Sequence, residues 1–153
     1  MDAVFKQLGA GLVVPDGTIV YKIDDAAKAF NFTPEQQQSC LLVLGDPVSD
    51  TLTIVNHLGE VENQAEYEQL IQFSIKQSND NGCKLTNHNK VSATDGRELD
   101  ILKFSTSQND VYVVFGCINK NVVMSSTSCN NQNFKQAQAF ANQLMTSLCP
   151  VEV

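Results

Sequence analysis

The sequence predicts an α+β fold: an antiparallel β-sheet flanked by helices, ending in a three-strand meander and a long helix. Two stretches carry the prediction. Residues 111–118 are apolar on both alternating faces, with Val111, Val113, Phe115 and Cys117 on one and Tyr112, Val114 and Ile118 on the other. A strand apolar on both sides must be covered on both sides, which puts it inside a sheet between two layers. Further on, Phe134, Ala137, Ala141, Leu144 and Leu148 recur at the three- and four-residue spacing of one helical face, widened by Phe140 and Met145. Burying Phe134, Leu144 and Leu148 contributes roughly 1.5 to 3 kcal/mol each, enough to outweigh the weak helix propensity of the asparagines nearby.

Taken from the start, residues 8–14 are short and apolar, and Pro15-Asp16-Gly17 turns the chain into 18–23, so the two read as an opening strand pair. Asp24 or Asp25 is placed to cap a short helix through Ala26, Ala27 and Phe30. Thr33-Pro34-Glu35-Gln36 is a stronger helix start, with a capping threonine, proline at the first helical position and glutamine where a capping box wants it. Residues 40–44 read as a strand ended by Gly45-Asp46-Pro47. Residues 51–57 read as another, with Leu52 and Ile54 on one face and Val55 on the other.

Asn63 with Glu66 three residues on forms a second capping box, for a helix to about Ser78 whose inner face holds Tyr67, Leu70, Ile71 and Ser74. Phe73 and Ile75 broaden its expected apolar arc. Residues 79–82 are turn-forming and release the polar stretch 83–93, a weak strand or extended loop. Asp95-Gly96 is a turn before the strand 97–106, and 107–110 is a second turn before 111–118. Asn119-Lys120-Asn121 makes a tight hairpin, since asparagine tolerates positive φ. The return strand 122–129 declines in apolar character, which places it nearer an edge. Asn130 or Asn131 is expected to cap the last helix and Pro150 to stop it.

At 153 residues, one domain spanning 1–153 is expected, long enough to bury about 70% of its unfolded surface. Hydrophobic residues make up 42% and charged residues 18%, a folding rather than a disordered composition. The net charge of −7 repels phosphate backbones, which argues against nucleic-acid binding and favours a basic partner. No apolar stretch approaches the ~20 residues of a membrane span. Residues 1–12 lack a basic start followed by an apolar run, so a cytoplasmic location is expected, or an envelope or secreted one if a signal segment is removed.

The five cysteines, 40, 83, 117, 129 and 149, form no C-x-x-C pair, which argues against a zinc site and a disulfide framework. Cys117 and Cys129 lie at opposite ends of the hairpin, roughly 17 to 24 Å apart at ~3.4 Å per residue. Cys129 and Cys149 bracket a helix about 27 Å long at ~1.5 Å per residue. Only Cys40 with Cys83 stays open as a pair, and free packed thiols are the plainer expectation.

Candidate functional residues are few. His57 and His88 are the only histidines and Arg97 is the only arginine. A solitary guanidinium beside a turn can clamp a carboxylate, Glu98 or Asp100 locally or an acid of a partner, with a structural ion pair the plainer use. A hydrolase would need Cys83 or a serine beside a histidine and an acid such as Asp95, yet no nucleophile-elbow glycines surround Cys83 or Ser39. No i, i+4 ligand pair points to a metal. Gly9-Ala10-Gly11 precedes a strand rather than a helix, so no phosphate-bearing cofactor is expected. Asn31-Phe32-Thr33 matches a glycosylation acceptor and equally a helix start.

The order is a strand leading into Val14-Pro15-Asp16-Gly17, a strand at Thr51, a helix at Asn63, the step Gly96-Arg97, the meander, and a final helix reaching Thr146-Ser147-Leu148. It resembles the superfamily that joins the photosystem extrinsic protein PsbP, the Ran-binding Mog proteins and the bacterial DcrB-like proteins. The resemblance spans most of the chain, departing where 24–39 inserts two short helices. Members have an antiparallel sheet flanked by helices and mostly act by binding other proteins. Some DcrB-like members are cytoplasmic chaperones that hold effectors for secretion, and others are envelope lipoproteins. The resemblance therefore implies a non-catalytic protein-binding or adaptor domain, in one form a chaperone for a secreted partner. The alternatives are a small-molecule carrier, with an apolar pocket between sheet and last helix around Phe115, Tyr112 and Phe140, and, further off, a Cys/Ser hydrolase.

Overall fold

The computed structural model describes residues 3–151, so Met1, Asp2, Glu152 and Val153 lie outside the account. The elements are β1 (Ala3–Phe5), β2 (Ala10–Leu12), β3 (Ile19–Tyr21), α1 (Ile23–Ala29), α2 (Pro34–Ser39), β4 (Cys40–Asp46), β5 (Thr51–Glu60), α3 (Gln64–Asp80), β6 (Lys84–Ser92), β7 (Glu98–Ser105), β8 (Asp110–Ile118), β9 (Asn121–Cys129), α4 (Phe134–Thr146) and β10 (Cys149–Pro150). They build a seven-stranded antiparallel sheet in the order β3-β4-β5-β9-β8-β7-β6 and a small one in the order β1-β2-β10.

The doubly apolar strand is interior, as its pattern demands. β8 runs between β7 and β9, with Val113 opposite both Leu102 and Ser126. Tyr112, Val114 and Ile118 pack with Ala137, Phe140, Ala141 and Leu144 of α4, together with Ala10 and Leu12 of β2 and Leu8 from the turn between β1 and β2. Val113 and Phe115 face the other way, onto Tyr67 and Ile71 of α3. α1 covers a third cluster beyond α3, where Ala26 meets Cys40 and Val43. Gly116 matters to this packing, because a Cβ there would come within 2.7 Å of Leu99 Cδ2.

Asn119 and Lys120 both take positive φ, 50° and 67°, as a two-residue hairpin of the type I′ kind requires. The Thr33 capping box forms in full: Gln36 N–H donates to Thr33 Oγ1 at 3.1 Å and Thr33 N–H donates to Gln36 Oε1 at 2.8 Å. At Asn63 half of it forms, since Glu66 N–H donates to Asn63 Oδ1 while the Glu66 carboxylate accepts from Glu62 N–H instead.

Several expectations are corrected. β2 and β3 do not pair with each other; β2 joins β1 and β10, and β3 joins β4. Asp24 and Asp25 sit in the first turn of α1 rather than capping it, and Lys22 holds the cap position without a side-chain bond. There they complement the positive end of the helix. β5 runs on past His57 to Glu60 through a bulge, and 84–92 is a true edge strand. Phe73 points away from the core and is 65% exposed.

The largest correction concerns 122–129, which lies at the middle of the sheet rather than near an edge. Its polar residues are buried: Ser125 and Thr127 have no exposed surface, and Thr127 Oγ1 lies 2.7 Å from Thr53 Oγ1. α4 lies across β8 and β9 and offers the short side chains of Ala137 and Ala141, so hydroxyl-bearing residues of similar size fit beneath it. α4 itself ends at Thr146, before Pro150 acts; Cys149 and Pro150 instead pair with β2. Its cap position is held by Asn133, without a side-chain cap bond, rather than by Asn130 or Asn131; Asn130 instead orders the turn before it, its Oδ1 accepting from Gln132 and Asn133 N–H. All five cysteines are free thiols, and Cys40 and Cys83 belong to different apolar clusters.

Candidate binding surface

His88 meets the buried carboxylate of Asp100, which the sequence offered only as a partner for Arg97, while Arg97 merely lines a cleft beside it. Asp100 sits on β7 facing α3, its side chain 5% exposed. Tyr67 donates its hydroxyl to Asp100 Oδ2 at 2.9 Å, His88 Nε2 stands 3.0 Å from Oδ1, and Lys90 Nζ is 3.6 Å from the same oxygen. The Tyr67 hydroxyl also points to the carbonyl of Phe115 at 3.2 Å. Burial, then the charge and hydrogen bond of Asp100, hold the Tyr67 phenol far above its ordinary pKa, so it stays a neutral donor. Two open clefts, of about 270 and 310 Å³, flank Asp100 and share Lys90. An aspartate inside the apolar run of β7, on the same face as Leu102 and Phe104, was the signal available in the sequence.

Arg97 has a structural use. Its Nε donates to Asp95 Oδ2 at 2.7 Å, Nη1 to the Cys117 carbonyl at 3.0 Å and Nη2 to the Leu148 carbonyl, which ties the start of β7 to the end of β8 and the chain beyond α4. Its carboxylate is thus Asp95 and not Glu98 or Asp100. Partial burial alone would raise the Asp95 carboxyl, but the hydrogen bonds and charge of Arg97 outweigh it and hold the carboxyl below its usual value. His57 is elsewhere, its Nε2 3.0 Å from Asn121 Oδ1.

The residues considered for a hydrolase are engaged separately. His88 is held by Asp100 and Asp95 by Arg97, while Cys83 lines a different cleft of about 150 Å³ with Ser74, Ser78, Phe104, Val113 and Phe115. That cleft shares Met124 and Ser126 with another, of about 200 Å³, bordered by Phe32, Gln36 and Ile54. An apolar trough therefore crosses the sheet between α3 and the α1–α2 pair. The three residues expected to line a pocket under α4 do not share a face. Tyr112 and Phe140 are buried there, with the Phe134 ring edge-on to Tyr112 at 6.0 Å, and Phe115 is on the opposite face. Among the described residues no three His, Cys, Asp or Glu side chains gather as a metal ion would need, and no helix is long and apolar enough to cross a membrane.

The least usual surface is β3, at one end of the large sheet. Ile19, Val20 and Tyr21 are 47%, 57% and 39% exposed, with half-exposed Phe30 at the end of α1. Ile19 and Tyr21 share the α1 side and Val20 the other, so neither helical layer covers the strand. The Tyr21 ring lies over Gly45, where a Cβ would come within 2.9 Å of it. The opposite edge, β6, is guarded in the usual way by polar residues and by Lys84 and Lys90. The sequence marked 18–23 as a strand, but an apolar run signals burial, and nothing in it told an uncovered strand from a covered one.

The order of strands and helices defines a PsbP-like α+β fold. No family model and no curated protein matches the chain. Among solved structures it is similar to the solution structure of cyanobacterial PsbP (CyanoP) from Synechocystis sp. PCC 6803. The TM-score is 0.64 at 12% sequence identity, covering 95% of this chain and 89% of that one. At that identity the likeness establishes the fold.

Proposed function

We propose that the chain is a non-catalytic protein-binding domain that takes its partner along the β3 edge of the large sheet. The observation that carries this reading is a strand apolar on both faces, uncovered on both and without a charged residue among its three, at the opposite end of the sheet from an edge, β6, that carries two lysines. An extended segment added to β3 satisfies backbone groups and covers Ile19, Val20 and Tyr21 together. A chaperone that holds a secreted partner in extended form is the finer version of this reading. A carrier of small apolar molecules is the second reading, favoured by the trough over Met124 and Ser126.

The test is a displayed library of random linear peptides selected on the immobilised chain. Val20→Lys, which places a gatekeeping charge on an exposed position, is expected to abolish binding of the selected peptides, while Phe73→Lys, exposed on α3, leaves it intact. Selected peptides indifferent to Val20→Lys, or turnover of a model ester or amide lost on changing Cys83 or His88, would overturn the reading.

A further inference from the structure

Resting on that reading, we infer that the occupant of the β3 edge is an extended protein segment with basic flanks. Charge is divided unevenly along the sheet. Residues 13–60, which form β3, α1, α2, β4 and β5, carry seven carboxylates against only Lys22 and Lys28, whereas residues 84–129, which form β6 to β9, carry four against five cations. Exposed Asp16 precedes β3, exposed Asp24 and Asp25 follow it, and Asp46 lies one register step beyond the Ile19–Gly45 pair. Acid therefore lies beyond both ends of the three apolar residues, with the single cation Lys22 between Tyr21 and Asp24. A strand of alternating apolar residues fits the centre, and lysine or arginine at its ends fits the rims.

A second copy docking β3 to β3 would bring two acidic halves together, in a chain already at −7. An acidic or neutral segment would gain the apolar contact without the rim. Steering by these carboxylates makes association faster and dependent on salt.

The experiment uses fluorescence anisotropy with three synthetic peptides. One has alternating valine and threonine between paired lysines, one has the same centre between paired glutamates, and one keeps the lysines but interrupts the centre with proline. The lysine-flanked strand is expected to bind about tenfold or more tighter than either control, and to weaken as salt rises through the screening range. Charge-neutral Val20→Asn should abolish binding, and the triple change Asp16→Asn, Asp24→Asn and Asp25→Asn should weaken it several-fold. Equal binding of lysine- and glutamate-flanked strands overturns the basic preference and leaves strand capture standing. Binding indifferent to Val20→Asn, equal binding of the proline peptide, or no binding at all overturns the inference at its root. Self-association lost in Val20→Asn would name a second copy as the occupant instead.

Discussion

The Tyr67 hydroxyl of α3 reaches 2.9 Å to the buried carboxylate of Asp100 on β7 and, through the same oxygen, the Phe115 carbonyl of β8. One side chain thus fastens the α3 layer to two neighbouring strands. Tyr67→Phe keeps the ring and removes the donor, leaving a buried carboxylate oxygen short of a partner. A loss of about 1–3 kcal/mol is expected by chemical denaturation. His88→Ala, at a partly exposed partner of the same carboxylate, should cost less. A neutral Tyr67→Phe would mean that Asp100 finds other donors.

Stability should fall at alkaline pH. Burial raises the thiols of Cys40, Cys117 and Cys129 above their ordinary value of 9.0, and burial raises the phenols of Tyr67 and Tyr112 above 10.0. The folded chain holds these protons after the unfolded chain has lost them, so their contribution is complete below about pH 9 and shrinks as pH climbs past it. Melting temperatures at pH 7, 9 and 10.5 should drop in order, and Tyr67→Phe should show a shallower drop above pH 10. A flat or rising profile contradicts the assignment.

Gly116→Ala puts a methyl group where Leu99 Cδ2 already is, at 2.7 Å, beneath fully buried Leu148. Leu99 must leave its place in a filled core, with a cost of about 1–3 kcal/mol. Calorimetry checks it, with Gly82→Ala as a contrast in which strain comes from a positive φ of 86° and not from crowding.

Ser125 Oγ is buried and has no hydrogen-bond partner among the described residues. Ser125→Ala removes a desolvated hydroxyl and nothing else, so stability should hold or rise by up to about 1 kcal/mol. A clear loss would mean that the hydroxyl bonds a buried water.

Much of the fold was legible because its strongest signals are periodic. The doubly apolar 111–118, the helical spacing from Phe134 and the boxes at Thr33 and Asn63 each specify a local structure that tertiary packing had no reason to override. The central place of β9 is hidden in its polarity, which ordinarily signals exposure, whereas Thr53 and Thr127 satisfy each other and alanines on α4 make room for small residues. Phe73 widens the apolar arc of α3 by composition alone, while its direction on the helix leaves it exposed. The pairing of β2 with β10 joins residues more than a hundred positions apart, a contact that no local pattern encodes. At the candidate sites, Arg97 and His88 stood out by rarity, but rarity said nothing of Asp100, and β3 was legible as a strand and not as a bare one.

Amide hydrogen exchange with and without the lysine-flanked strand peptide tests the central claim most directly. Added backbone pairing should slow exchange within residues 18–22 and leave the other edge, Lys84–Ser92, unchanged. Slowing confined to β6 or to the residues around Met124, with residues 18–22 unaffected, would contradict it.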